Sequence, residues 1–207
     1  IRQEVNCMEV YSIDEVFMDF SDVSLLKEKA LEIKTKVKKW TGIPVSIGVA
    51  PTKALAKVAN YYAKKYVKQG VLVLENPSYI SRALKKLPIG ELWGVGRRYA
   101  KFLTQRGVVT AHDLVSLDEN WVRKNMTVAG LRLVQELKGI SCFDIETTLP
   151  RKKNICTSRS FGRKVKSHKE LKEAVAAYAT TCSQKLRAQG SCASLVNVFL
   201  TTNPFSI

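Results

Sequence analysis

The sequence predicts an α+β fold of more than one domain, on three observations. Segments with strand alternation and segments with helical periodicity take turns as far as Asn76. From Pro77 to Gly139 the pattern is helical throughout, broken by short glycine-containing turns. Beyond the basic, proline-containing stretch from Leu149 to Asn154, the order strand, helix, strand returns. These changes divide the chain into residues 1–76, 77–148, a linker at 149–154 and residues 155–207.

The elements follow in order. Two alternating stretches, Cys7 to Ile13 and Val16 to Phe20, flank Asp14-Glu15 and predict a β-hairpin with acids at its tip. Leu26, Ala30, Ile33 and Val37 share one side of Leu25 to Trp40, as on an amphipathic helix. After Gly42 and Pro44, Val45 to Ala50 reads as a buried strand. Thr52 then caps a helix from Lys53 to about Tyr66, with Leu55, Ala59 and Tyr62 on its apolar side. Gly70 turns the chain into a further strand, Val71 to Leu74, and the alternation predicts an α/β sandwich on one sheet. Near the C-terminus, strands at Ile155 to Val165 and Ser194 to Thr202 bracket a helix from His168 to Gln189.

With 45% hydrophobic and 25% charged residues in 207, the composition excludes a disordered or fibrous chain. No apolar run approaches the ~20 residues that span a bilayer. Ile1-Arg2-Gln3-Glu4 lacks the charged-then-apolar pattern of a leader, and the reading is a cytoplasmic protein with no membrane partner. Residue 1 is Ile rather than Met, so a longer parent protein is expected. The 34 Lys and Arg against 18 Asp and Glu give a net charge of +16, which favours an anionic partner, nucleic acid before membrane. From Arg151 onward, 11 basic residues face only 2 acids, although a solvated basic surface has the same composition. The five cysteines form no CxxC pair and no zinc spacing, and His112 and His168 stand apart from any patterned nucleophile.

Three motifs carry chemistry. In Ser12-Ile13-Asp14-Glu15, two adjacent acids at a tight turn can reach one metal cluster, whereas on a flat strand they would face opposite ways. An acidic pair at a turn is more often a solvated turn, so the motif by itself leaves both readings open. In Val45 to Lys57, a strand, a small-residue turn and a capped helix can aim a helix N-terminus and lysine ammoniums at phosphates; an ordinary βα unit has the same pattern. In Leu92-Trp93-Gly94-Val95-Gly96, followed by a helix, Gly107 and a second helix capped by Thr110, the pattern is helix-hairpin-helix. Its glycines let backbone N–H groups approach a phosphate, and Arg97, Arg98 and Lys101 beside the turn favour this over a plain packing turn.

The segment Glu9-Val10-Tyr11-Ser12-Ile13-Asp14-Glu15-Val16-Phe17-Met18-Asp19-Phe20 resembles the palm hairpin of Y-family translesion DNA polymerases. The two later motifs, and Ser158-Arg159-Ser160-Phe161-Gly162-Arg163, follow in the same family order, and the chain as a whole resembles the UmuC type, the catalytic subunit of DNA polymerase V. That resemblance implies a partial α/β palm at 1–76, an all-α helix-hairpin-helix thumb at 77–148 and a partial α+β little finger at 155–207. It implies that Asp14 and Glu15 hold two Mg²⁺ ions and that Lys64 contacts the triphosphate of a dNTP, with Lys53 and Lys57 matching less closely. It implies DNA contacts at Gly94, Val95, Gly96, Arg97, Arg98 and Lys101 in the thumb, and at Arg159, Arg163, Lys164 and Lys166 in the little finger.

The activity so implied is error-prone synthesis across damaged template in DNA repair and the SOS response, on primer-template DNA. A UmuD-like subunit, a recombinase filament and the sliding clamp are implied as further partners. The chain departs from the wider family after Lys64, where Pro, a polar residue and Gly are usual and Lys65-Tyr66-Val67-Lys68-Gln69-Gly70 stands instead; this longer turn is closer to the UmuC branch than to DNA polymerase IV. Family members also carry a first palm strand with a third metal-binding Asp, fingers, and a complete little finger. These 207 residues hold none of those, so the expectation is that they do not polymerise alone. The alternative is a non-catalytic helix-hairpin-helix protein that binds DNA in repair.

Overall fold

Hydrogen-bonded strand pairs are few and short in this chain, and helices do most of the packing. The computed structural model describes residues 4, 5, 7–148 and 151–202, which fall into two compact units divided between Thr148 and Leu149. Leu149 and Pro150 of the expected linker lie outside the described residues, as do the first three residues and the last five.

The first unit opens with β1 (Met8–Val10) and β2 (Val16–Met18), antiparallel with Glu9 opposite Phe17. Helix α1 (Leu26–Thr41) follows, then β3 (Ile47–Val49), α2 (Lys53–Tyr66) and β4 (Val71–Val73). Strands β3 and β4 pair in parallel, Gly48 opposite Leu72, with α2 as the crossover. The expected single sheet is therefore corrected to two separate two-stranded ladders among the described residues. Apolar alternation reports which face of a strand is buried, not which neighbour it pairs with.

Two apolar clusters hold this unit. Ala30 and Ile33 of α1 close over Ile47 and Val71, with Met18, Phe20 and Val37 beside them. The larger cluster runs from Ala54, Leu55, Val58 and Ala59 of α2 across position 76 into the helical region, without a break in apolar packing. That region comprises α3 (Pro77–Lys86), a 3₁₀ turn at Ile89–Glu91, α4 (Arg97–Thr104), α5 (Ala111–Val115) and α6 (Glu119–Leu137). Leu103, Leu114, Val122 and Val134 are fully buried there.

Local chemistry explains the helix ends. Asn76 caps α3 through Ser78 N–H, Asp118 caps α6 through Trp121 N–H, and Thr110 with Asp113 forms a reciprocal capping box at α5. Helix α1 ends where Gly42 takes the left-handed conformation, φ 74°. Within α6 the backbone kinks at Thr127, φ 65° and ψ −172°, a conformation that a β-branched residue rarely adopts.

In the second unit, α7 (His168–Gln189) has the expected bounds and ends at left-handed Gly190. The expected strands at 155–165 and 194–202 are not formed among the described residues. A strand needs a backbone partner for its ladder, and neither segment has one here. Leu195, Val196, Val198, Phe199 and Leu200 are correspondingly exposed, and no residue of α7 is buried.

Candidate active site

The tip of the first hairpin is a tight turn in which Tyr11 N–H and Ser12 N–H both donate to the Glu15 carbonyl, at 3.0 and 3.1 Å. This closure projects Asp14 and Glu15 from the end of the ladder. Ser12 Oγ donates to Asp14 Oδ1 at 2.6 Å, and that bond is the main cause holding the Asp14 carboxyl below its ordinary range. The backbone N–H of Asp14 and the ammoniums of Lys57 and Lys64 act in the same direction, against some desolvation.

Facing the hairpin is one stripe of α2. Lys53, Lys57, Asn60 and Lys64 recur at intervals of four, three and four, which stacks them along a single helix face. Lys53 forms an ion pair with Glu9 in which both side chains are nearly buried, and its ammonium also donates to the Asp144 carbonyl and lies 5.1 Å from the centre of the Phe17 ring. Lys57 forms an ion pair with Glu15. Asn60 Oδ1 is buried with no hydrogen-bond donor among the described residues. Lys64 is exposed and makes no ion pair among the described residues. Of the three lysines considered from sequence, two are thus held by acids of the hairpin and one is available.

The α2 N-terminus does not have the role its sequence allowed. Ala54 N–H donates to Glu136 Oε2 at 3.0 Å, Leu55 N–H to Thr52 Oγ1, and Thr52 Oγ1 in turn to the Glu136 carbonyl. The helix end is satisfied from inside the protein, and phosphate binding there is corrected to an internal cap. Glu136 is fully buried, and its Oε1 accepts from Cys142 N–H and Phe143 N–H at 2.7 and 3.1 Å. Sequence reasoning missed it, because nothing local distinguishes a charged residue near a helix end from a solvated one. In the segment it anchors, the Asp144 carbonyl accepts from Lys53 of α2, and the Glu146 N–H donates to Glu9 Oε2 of the hairpin at 2.9 Å.

Hairpin and helix together border a cleft of about 780 Å³ lined by Asp14, Glu15, Asp19, Lys53, Lys57 and Phe143 among others. Its acids offer hard oxygen donors of the kind Mg²⁺ prefers, and Asp14 stays ionised to lower pH than usual. The donor chemistry therefore fits a divalent ion. Among the described residues no three His, Cys, Asp or Glu converge, so this pair would supply part of a coordination shell.

In the helical region, Gly94 sits at φ 87° and Gly96 precedes α4 without a side-chain cap. Gly96, Arg97, Arg98 and Lys101 are exposed, and the first turn of α4 has no acid, which leaves its N–H groups open beside two guanidiniums. The Val95 side chain is buried in the core, so only its backbone faces outward. Trp93 connects this turn to the hairpin: its Nε1–H donates to Tyr11 Oη at 3.2 Å, and its ring meets those of Tyr11, Phe17 and Phe143 edge-on within about 6 Å. In the second unit, Arg159, Arg163, Lys164 and Lys166 are all exposed, with Arg163 paired to Glu170 at 3.0 Å. All five cysteines are free thiols, and no described helix is long and apolar enough to cross a membrane.

Comparison with known proteins adds independent findings. The sequence model of the impB/mucB/samB family matches residues 1–61, and that of the impB/mucB/samB family C-terminal domain matches residues 152–207. Protein UmuC of Salmonella typhimurium is 39% identical over the whole chain, which spans 50% of that relative. Protein MucB of Escherichia coli is 34% identical over 97% of the chain and 49% of its own length. Among solved structures, a Y-family DNA polymerase chimera, Dbh-Dpo4(243-245)-Dbh, superposes with a TM-score of 0.59 at 28% identity, covering 72% of this chain and 44% of that one. An insertion ternary complex of Dbh DNA polymerase gives 0.53 at 29% identity over 66% and 41%. The chain thus spans about half the length of the curated relatives it matches.

Proposed function

Because the chain belongs to the impB/mucB/samB family of Y-family DNA polymerases, we propose that its parent protein extends a DNA primer across damaged template by two-metal nucleotidyl transfer. The observation that carries this reading is the pairing of Asp14 and Glu15, at a hairpin tip, with the lysine stripe of α2 across one cleft. In this reading residues 1–76 are part of the palm, 77–148 the thumb, 149–154 a linker and 155–207 part of the little finger.

Each group then has a task. Asp14 and Glu15 would hold Mg²⁺, which when bound polarises the reacting phosphate and lowers the pKa of the attacking hydroxyl. The Ser12 hydrogen bond keeps the Asp14 carboxylate ionised and oriented. Lys64, which makes no ion pair among the described residues and acts on Asp14, would receive the nucleotide triphosphate. The Gly94–Gly96 turn and the open N-terminus of α4, with Arg97, Arg98 and Lys101, grip the primer-template backbone without reading its sequence. In the second unit, the exposed Arg159, Arg163, Lys164 and Lys166 would contact DNA phosphates on their own account. Work within an SOS response, alongside a UmuD-like subunit, a recombinase filament and the sliding clamp, is part of the same proposal.

In the full-length protein, replacing Asp14 and Glu15 together by Ala should abolish primer extension while DNA binding stays within about twofold, because neither acid is among the residues assigned to the backbone grip. Gel-based extension and fluorescence anisotropy read the two quantities separately. Extension that survives the double substitution overturns the catalytic reading and leaves a DNA-binding protein.

A further inference from the structure

Glu15 is the inner of the two hairpin acids, and Lys57 Nζ sits directly on its Oε1. The pair is partly shielded, with side-chain exposure of 20% for Lys57 and 37% for Glu15. Lys57 also lies close enough to Asp14 to stabilise its charged form, so one ammonium serves both acids. Of the lysines on this face, Lys57 is the one paired with Glu15. Lys53, one turn toward the N-terminus, is held by Glu9 and the Asp144 carbonyl, while Lys64, two turns onward, makes no ion pair among the described residues.

We propose that Lys57 is the resident counter-ion of the catalytic acids, competing with the divalent ion for Glu15 and setting how tightly the site takes metal. This inference rests on the polymerase reading of the cleft and goes beyond it, because it removes Lys57 from the set of phosphate ligands. An ammonium on Glu15 Oε1 occupies one of the carboxylate's lone-pair directions and neutralises part of the charge that a metal ion would use, so each occupant weakens the hold on the other. A positive charge kept this close to the acids also repels an entering divalent cation. Lys57 is therefore a positioning residue: it holds Glu15 in the cleft and yields when metal enters.

The test uses the full-length protein and Mn²⁺ alone, titrated in the absence of DNA and nucleotide and read by electron paramagnetic resonance of the free ion. Lys57→Gln should tighten Mn²⁺ binding by roughly three- to tenfold, since a competing and repelling charge is removed. Lys57→Arg, which keeps the charge, should stay within about twofold of wild type. Raising the salt concentration should narrow the gap between wild type and Lys57→Gln. In primer extension, the Mg²⁺ concentration for half-maximal rate should fall for Lys57→Gln while the KM for dNTP changes little.

Unchanged or weaker Mn²⁺ binding in a folded Lys57→Gln protein overturns the proposal. So does a raised KM for dNTP at unchanged metal affinity, which would make Lys57 a phosphate ligand. Failure of the underlying reading shows differently: Mn²⁺ binding would then be indifferent to replacing Asp14 and Glu15 by Ala.

Discussion

Gly48 illustrates how much of the site's geometry rests on single atoms. A Cβ at this position would stand 2.1 Å from the backbone nitrogen of Asn60 and 2.4 Å from the Ala56 carbonyl, so strand β3 lies against α2 with no side chain between them. Backbone cannot swing aside as the end of a lysine can, and relief would require moving α2 bodily. That helix carries Lys57 and Lys64, so its distance from the hairpin acids depends on this glycine. Gly48→Ala is expected to destabilise the protein by about 1–3 kcal/mol, as overpacking does, and to lower the denaturant midpoint without changing the slope of the unfolding transition. A midpoint equal to that of wild type would show that α2 can retreat at little cost. In sequence the residue was legible as part of a strand, but its reason was not, because the approaching helix atoms come from eight and twelve positions away.

At the scale of elements, Glu136 joins three pieces that sequence treats separately: the start of α2, the end of α6 and the segment around Cys142 and Phe143. Each backbone N–H that it satisfies would otherwise be left without an acceptor at a buried or half-buried position. Glu136→Ala should therefore destabilise the first unit by about 3 kcal/mol, since orphaning a buried polar group costs about 1–3 kcal/mol and three donors share the loss. Hydrogen exchange at Ala54, Cys142 and Phe143 should accelerate together in that variant. Faster exchange confined to one of the three would show that the pieces are held independently.

Helix α2 was legible because its Thr52 cap and its apolar periodicity agreed within one window, and α7 was legible as one long stretch between its neighbouring segments. The same holds for the hairpin, where acids interrupt two alternating runs. The acid-to-lysine pairs Glu9–Lys53 and Glu15–Lys57 were not readable, because charge patterning reveals neighbours on one helix and not partners more than forty residues apart. The strands expected at 155–165 and 194–202 failed for a related reason, since alternation describes a face and a ladder needs a partner.

For the whole molecule, a net charge of +16 sets a long-range attraction for DNA that no single residue accounts for. Charge alone does not separate a phosphate grip from a diffuse field, but the dependence of binding on salt does. Each phosphate neutralised releases condensed counterions, and log K falls against log salt concentration with a slope of about −0.9 per contact on duplex DNA. Arg97 and Arg98 are the first two residues of α4, whose N-terminus has no side-chain cap and no acid in its first turn. If both hold phosphates, Arg97→Ala with Arg98→Ala in the full-length protein should reduce the magnitude of that slope by about 1.8, and the affinity loss should be the same for primer-templates of unrelated sequence. Measured by anisotropy across a salt series, a uniformly weakened curve with an unchanged slope would instead assign these arginines to the general field. A loss that varied with sequence would mean that they read bases, which would overturn the proposed sequence-independent grip.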